Sequence, residues 1–166
     1  TCKFMATLGF GDSVQECTVL NRIVRFCPET SDAKEAMELE ADHRHVDILL
    51  SELNLTKAKG VDTPRVKHSE KEYFDGLESR ILEGSQPTLF RSCTMRMSYL
   101  GQDRPALQES TKCLAQKTKE HREWDMMELK RAARYLKSKP RAVLRYERQQ
   151  LPHSLDGWVD SDYAGD

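Results

Sequence analysis

The chain is expected to be α+β, with strands and helices segregated rather than alternating. Three observations carry this. Residues 14–40 contain runs rich in β-branched and alternating apolar residues, as half-buried strands do. Residues 88–139 repeat apolar residues every three or four positions, as amphipathic helices do. A second β-type run follows Pro140, so strands flank a helical middle.

The first element is an extended run over 14–27, densest at Thr18 to Cys27 (TVLNRIVRFC). Ala36 to Glu40 (AMELE) alternates apolar and acidic residues. Pro28 and the polar stretch Glu29 to Lys34 separate the two, which predicts a β-hairpin with a long loop. Asp42 is suited to cap a helix, and Val46, Leu49, Leu50 and Leu53 then recur at helical spacing until about Asn54. Residues 56–87 hold Gly60, Pro64, Gly76, Gly84 and Pro87 among many charges. That composition predicts a long mobile connection with one helical turn around Tyr73 to Leu82. From Thr88, a helix has Leu89, Cys93, Met97 and Leu100 on one face, with Gly101 as a stop. Asp103 is suited to cap the next helix, with Pro105 in its first turn and Leu107 and Leu114 on its buried side. Thr118 is suited to cap a longer helix with two neighbouring stripes. One holds Trp124, Met127 and Arg131, the other Met126, Leu129, Ala133 and Leu136, and Pro140 ends both. Val143 to Glu147 and Gly157 to Tyr163 are then expected as short strands. The expected units are 1–41, 42–140 with the linker 56–87, and 141–166.

The net charge is only −1, but it is unevenly placed. The window 112–148 holds 12 Lys or Arg against 5 Asp or Glu, which fits a phosphate-contacting face or a solvated helix. Within it, Lys130, Arg131, Arg134 and Lys137 crowd one helix, and the last three form a basic edge. Five cysteines, an odd number with no CxxC pair, argue against a disulfide framework and a zinc ribbon. They read as reduced intracellular thiols, cytoplasmic or nuclear. No secretory leader is visible and no apolar run has membrane-spanning length. The start at Thr1, without Met, is that expected of an internal piece of a longer protein.

No self-contained catalytic site emerges. There is no GxxxxGK[ST] loop and no GxSxG turn. There is also no adjacent Asp-Asp pair, the arrangement a two-metal polymerase needs. His43 and His45 flank Arg44, but on a helix their side chains diverge, so a polar first turn is the simpler account. Trp124 suits either a base-stacking role or an anchor between packed helices, with the anchor favoured. Asp160 and Asp162 fall on one side of the last expected strand, as a metal-ligand pair or a polar strand end.

Several segments together resemble the C-terminal part of a copia-type retrotransposon reverse transcriptase. Ser98 to Gln108 (SYLGQDRPALQ) resembles the family's Tyr-Leu and Arg-Pro segment, where one helix ends and the next begins. Glu120 to Trp124 (EHREW) with Leu129 to Lys137 (LKRAARYLK) is similar to its His-Trp helix. Leu144 to Tyr146 matches its Leu-Arg-Tyr strand. Asp156 to Asp166 (DGWVDSDYAGD) resembles the point where RNase H begins. Upstream, Ala41 to Leu50 and Val61 to Pro64 look like the first thumb helix and its linker. Leu20 to Arg25 sits where the family has its primer-grip hairpin.

The resemblance implies a palm-tail hairpin, a helical thumb and connection, and terminal strands that begin an RNase H-like domain. It implies an RNA-directed DNA polymerase with RNase H as the parent enzyme, Mg²⁺ as the parent's cofactor, and the rest of the Pol polyprotein as a partner. It makes Asp160 the vestigial first RNase H carboxylate, and so a Mg²⁺ ligand only in a complete domain. Leu20, Asn21 and Arg22, with Lys130, Arg131, Arg134 and Lys137, become candidates for contact with an RNA–DNA or DNA template–primer duplex. Ala106 after the Arg-Pro, the insertion of Arg122 and Glu123, and Ser138-Lys139-Pro140 depart from the family pattern. The chain is therefore expected to bind nucleic acid without catalysis and without a cofactor of its own. A non-catalytic binding module or a non-functional retroelement remnant is the alternative.

Overall fold

The structure, a computed structural model, describes residues 8, 9, 15–117, 119–150, 154 and 157. It is α+β: a four-stranded antiparallel sheet and five helices. The strands β1 (Glu16–Val19), β2 (Arg22–Cys27), β3 (Ala36–Glu40) and β4 (Val143–Glu147) lie in the order β1-β2-β3-β4. The fourth strand returns to the sheet after all the helices. The expected long-loop hairpin is the β2–β3 pair, in which Val24 faces Leu39. The single extended run expected over 14–27 is instead two strands. Leu20 and Asn21 have φ of 49° and 63°, and Val19 pairs with Arg22 across this two-residue turn. Both central residues being left-handed matches the tight hairpin turn whose twist suits its flanking strands. The expected strand at Gly157 to Tyr163 lies outside the described residues.

Register sorts the sheet into two faces. Cys17, Val24, Leu39 and Leu144 stand opposite one another in one row across all four strands. Glu16, Arg25, Glu38 and Arg145 form the adjacent row, on the other face. Arg25 bonds to both Glu16 and Glu40, and Arg145 bonds to Glu38 at 3.0 Å.

The helices are α1 (Arg44–Glu52), α2 (Glu70–Leu77), α3 (Gln86–Gly101), α4 (Pro105–Gln116) and α5 (Glu123–Ser138). The core sits among α1, α3, α4 and α5. Leu49, Phe90, Met97, Leu107, Leu129 and Leu136 are there fully buried. Each such side chain removed from water contributes about 1.5–3 kcal/mol. Of the two stripes expected on α5, the one with Met126, Leu129, Ala133 and Leu136 is buried, while Met127 is exposed.

Three expected caps move. The N-cap of α1 is His43; Asp42 sits one residue earlier, yet its Oδ1 still accepts the Arg44 backbone N–H at 3.0 Å. The N-cap of α4 is Arg104, because the Asp103 carboxylate is taken by Arg22. Helix α5 starts at Glu123 with Arg122 as N-cap, and Asp125 accepts the Arg122 backbone N–H at 2.8 Å. The Thr118 cap lies outside the described residues. Helix α2 begins earlier than the turn expected from Tyr73, at a capping box in which Ser69 and Glu72 satisfy each other's backbone N–H. Cys17, Cys27, Cys93 and Cys113 are free thiols.

Candidate nucleic-acid interface

The tip of the β1–β2 hairpin is apolar and open: Leu20 is 75 % exposed and Val19 51 %. Asn21 shares the exposed turn. Arg22, the third tip candidate, is turned inward. Its Nε donates to Asp103 Oδ2 at 2.6 Å, a second nitrogen reaches Gln102 Oε1 at 3.4 Å, and the guanidinium lies 5.1 Å from the Tyr99 ring centre. The hydrogen bond to Asp103 raises the Arg22 pKa. Arg22 therefore joins the hairpin to the junction of α3 and α4, and only Leu20 and Asn21 of the three are presented outward.

The basic edge of α5 is also largely occupied. Lys137 Nζ donates to the carbonyls of Thr56 and Ala58 at 2.6 and 2.8 Å. Arg134 Nε donates to the Lys59 carbonyl at 2.7 Å, and Arg131 donates to Thr63 Oγ1 at 3.0 Å. The linker passes close because residue 60 is glycine; a Cβ there would stand 2.0 Å from Ser138 Oγ. Lys130 is the one member of the set that is exposed. Charge periodicity located the row, but it contains no information about which carbonyls the row would meet.

The far end of the connection is tied down as well. Leu82 N–H donates to the His121 carbonyl at 3.0 Å, and Glu123 N–H to the Arg80 carbonyl at 2.9 Å. Residues 56–87 thus run as a strap along α5, with α2 in the middle. There the Trp124 ring fills the space that a Gly76 Cβ would need and meets the His68 ring edge-on at 4.6 Å. The tryptophan is an anchor between helices, as favoured.

His45 bonds to Arg96 at 3.2 Å and packs edge-on against Tyr99, while His43 is exposed. Among the described residues no group of three or more His, Cys, Asp or Glu is placed to hold a metal ion. Asp160 and Asp162 lie outside the described residues. No described helix is long and apolar enough to cross a membrane. No family model, no curated protein and no solved structure matches the chain.

Proposed function

We propose that the chain is part of a copia-type reverse transcriptase, covering the palm tail, the thumb and connection, and the start of an RNase H-like domain. Its role there is to hold the template–primer duplex, with the rest of the Pol polyprotein supplying the Mg²⁺-dependent chemistry. The observation that carries this reading is the order of the resembling segments over nearly the whole chain. Further support comes from the segment Leu20 to Arg25, which turns tightly and presents Leu20 and Asn21 beside a helical unit. An apolar hairpin tip can rest against a sugar–phosphate backbone without reading sequence, and exposed cations such as Lys130 can add phosphate contact.

The test is anisotropy of a labelled RNA–DNA hybrid titrated with the purified chain. Binding is expected at about 50 mM salt, with log K falling against log salt at a slope of about −3. Lys130→Glu is expected to reduce that slope by about 1. Mg²⁺-dependent primer extension is expected to be absent, since the sequence contains no Asp-Asp pair. A folded chain that retains no hybrid at low salt would sink the reading.

One observation favours a second reading, a remnant whose helices merely pack. Arg131, Arg134 and Lys137 are engaged by the strap rather than turned to a ligand. That reading predicts a folded chain with no salt-dependent hybrid binding.

A further inference from the structure

We propose that the cavity between α2, the second half of α4 and the start of α5 binds a planar, aminated heterocycle carrying an anionic group, of the size and chemistry of a nucleoside monophosphate. The site is independent of the duplex-binding reading. The hairpin reaches the N-terminal end of α4 through Arg22 and Asp103, whereas this cavity meets α4 at Ser110 to Leu114 and beyond.

Size, walls and charge all point to this class. The cavity is about 370 Å³, within the range of small-molecule sites and enough for one nucleotide. Trp124, His68 and Tyr73 line it, giving aromatic surface for a flat ring to stack on. The His68 ring is held in place by Glu128, 3.1 Å from its Nε2, and by its edge-on contact with Trp124. That wall is therefore set before any ligand arrives. Asp125 also lines the cavity and is more than nine-tenths buried. A carboxylate in such a place accepts the amino or ring N–H edge of a heterocycle.

The anion has its own partners. Four cations line the cavity: Arg65, Lys117, Lys119 and Arg122. Arg65 stands 3.5 Å from Glu109, and Arg122 stands 2.5 Å from Glu120. Arginine or histidine supplies the cation in every ion pair among the described residues, so neither lysine is used in one. Two ammonium groups beside an aromatic wall are what a phosphate attached to a stacked base would meet.

Trp124 reports on the site directly. The chain has two tryptophans, so Trp158→Phe leaves Trp124 as the sole emitter. In that background, AMP is expected to quench emission saturably with a Kd below about 1 mM. Adenosine is expected to bind at least about 5-fold more weakly, and inorganic phosphate alone should leave emission unchanged. Replacing Lys117→Gln and Lys119→Gln together should weaken AMP by about 10-fold while far-UV circular dichroism and the urea midpoint stay in place. A 5′-phosphorylated dinucleotide that binds as well as AMP identifies a strand end as the natural source, and weaker binding identifies a free nucleotide. The proposal is overturned if AMP gives no saturable quenching of the folded chain. It is equally overturned if adenosine matches AMP, if phosphate alone quenches, or if the lysine substitutions leave AMP affinity unchanged.

Discussion

Glu40 shows how a single carboxylate is tuned by the sheet around it. Arg141 and Arg25 both donate to it, the first through Nε at 2.9 Å, and together they hold its pKa down to about 2. In the unfolded chain the group titrates near its ordinary value of about 4.3. A carboxylate whose pKa is depressed by folding stabilises the native state above the unfolded value, and loses that effect as pH falls through the folded one. The urea midpoint of the chain is therefore expected to fall between about pH 5 and pH 2. Glu40→Gln should lower the midpoint at neutral pH and flatten the acid limb. Superimposable pH profiles for the two proteins would show that Glu40 is not coupled to folding. The same competition between partners explains the displaced caps. Asp103 is a good capping residue by type, but a guanidinium 81 residues away in sequence claims it at 2.6 Å. Local preference names the residue; only the tertiary fold decides which donor wins it.

At the scale of elements, α2 depends on one missing side chain. A Cβ on Gly76 would stand 2.6 Å from the Trp124 ring, too close for either partner to stay where it is. Alanine improves helix propensity by about 1 kcal/mol, but overpacking of this kind costs about 1–3 kcal/mol. Gly76→Ala is therefore expected to lower stability or release α2 from α5, read as a red shift of Trp124 emission and faster amide exchange over Glu70 to Leu77. What was legible in the sequence follows the same division between local and distant causes. The buried stripe Met126, Leu129, Ala133 and Leu136 was readable because helical periodicity and burial coincide there. Phe90, completely buried one position beyond Leu89, lies three and seven positions before Cys93 and Met97, so helical spacing alone does not choose between it and Leu89. The turn at Leu20 and Asn21 was missed as a strand break because leucine rarely adopts a left-handed backbone and no Asn-Gly pair marks it. The capping box from Ser69 to Glu72 was present in the sequence as a signal, but the glycine at 76 masked the helix that follows.

At the scale of the molecule, the helices and the sheet are joined at few points, and Arg104 is central to one of them. It is 5 % exposed, and its two terminal nitrogens donate to the carbonyls of Lys139 and Pro140 at 2.8 Å each. Those carbonyls lie where the chain leaves α5 on its way to β4. Burial lowers the Arg104 pKa. Arg104→Met is expected to cost about 3 kcal/mol, since two charge-assisted bonds are lost and two carbonyls are left unpaired. Arg104→Lys should recover less than half, because one ammonium cannot reproduce a planar fork. Denaturant titration reads both. Equal stability of the wild-type and Met variants would mean that β4 docks without this tie. The candidate site was legible as a list of residue types but not as a surface. Arg131, Arg134 and Lys137 fall along one edge of α5 and Arg22 beside the hairpin turn, while their partners come from segments that no local pattern links to them.

The alternating row Glu16, Arg25, Glu38 and Arg145 behaves like a parity check on the sheet. Sliding any strand by one residue sets a charge against the apolar row of the opposite face. Reversing one sign, as in Arg25→Glu, creates several like-charge neighbours at once: Glu16, Glu38 and Glu40. Errors in alignment and errors in composition are therefore detected by the same four columns. A sheet with few fully buried residues can in this way still favour one alignment over its one-residue slips, because each such slip breaks ion pairs and sets charge among apolar side chains.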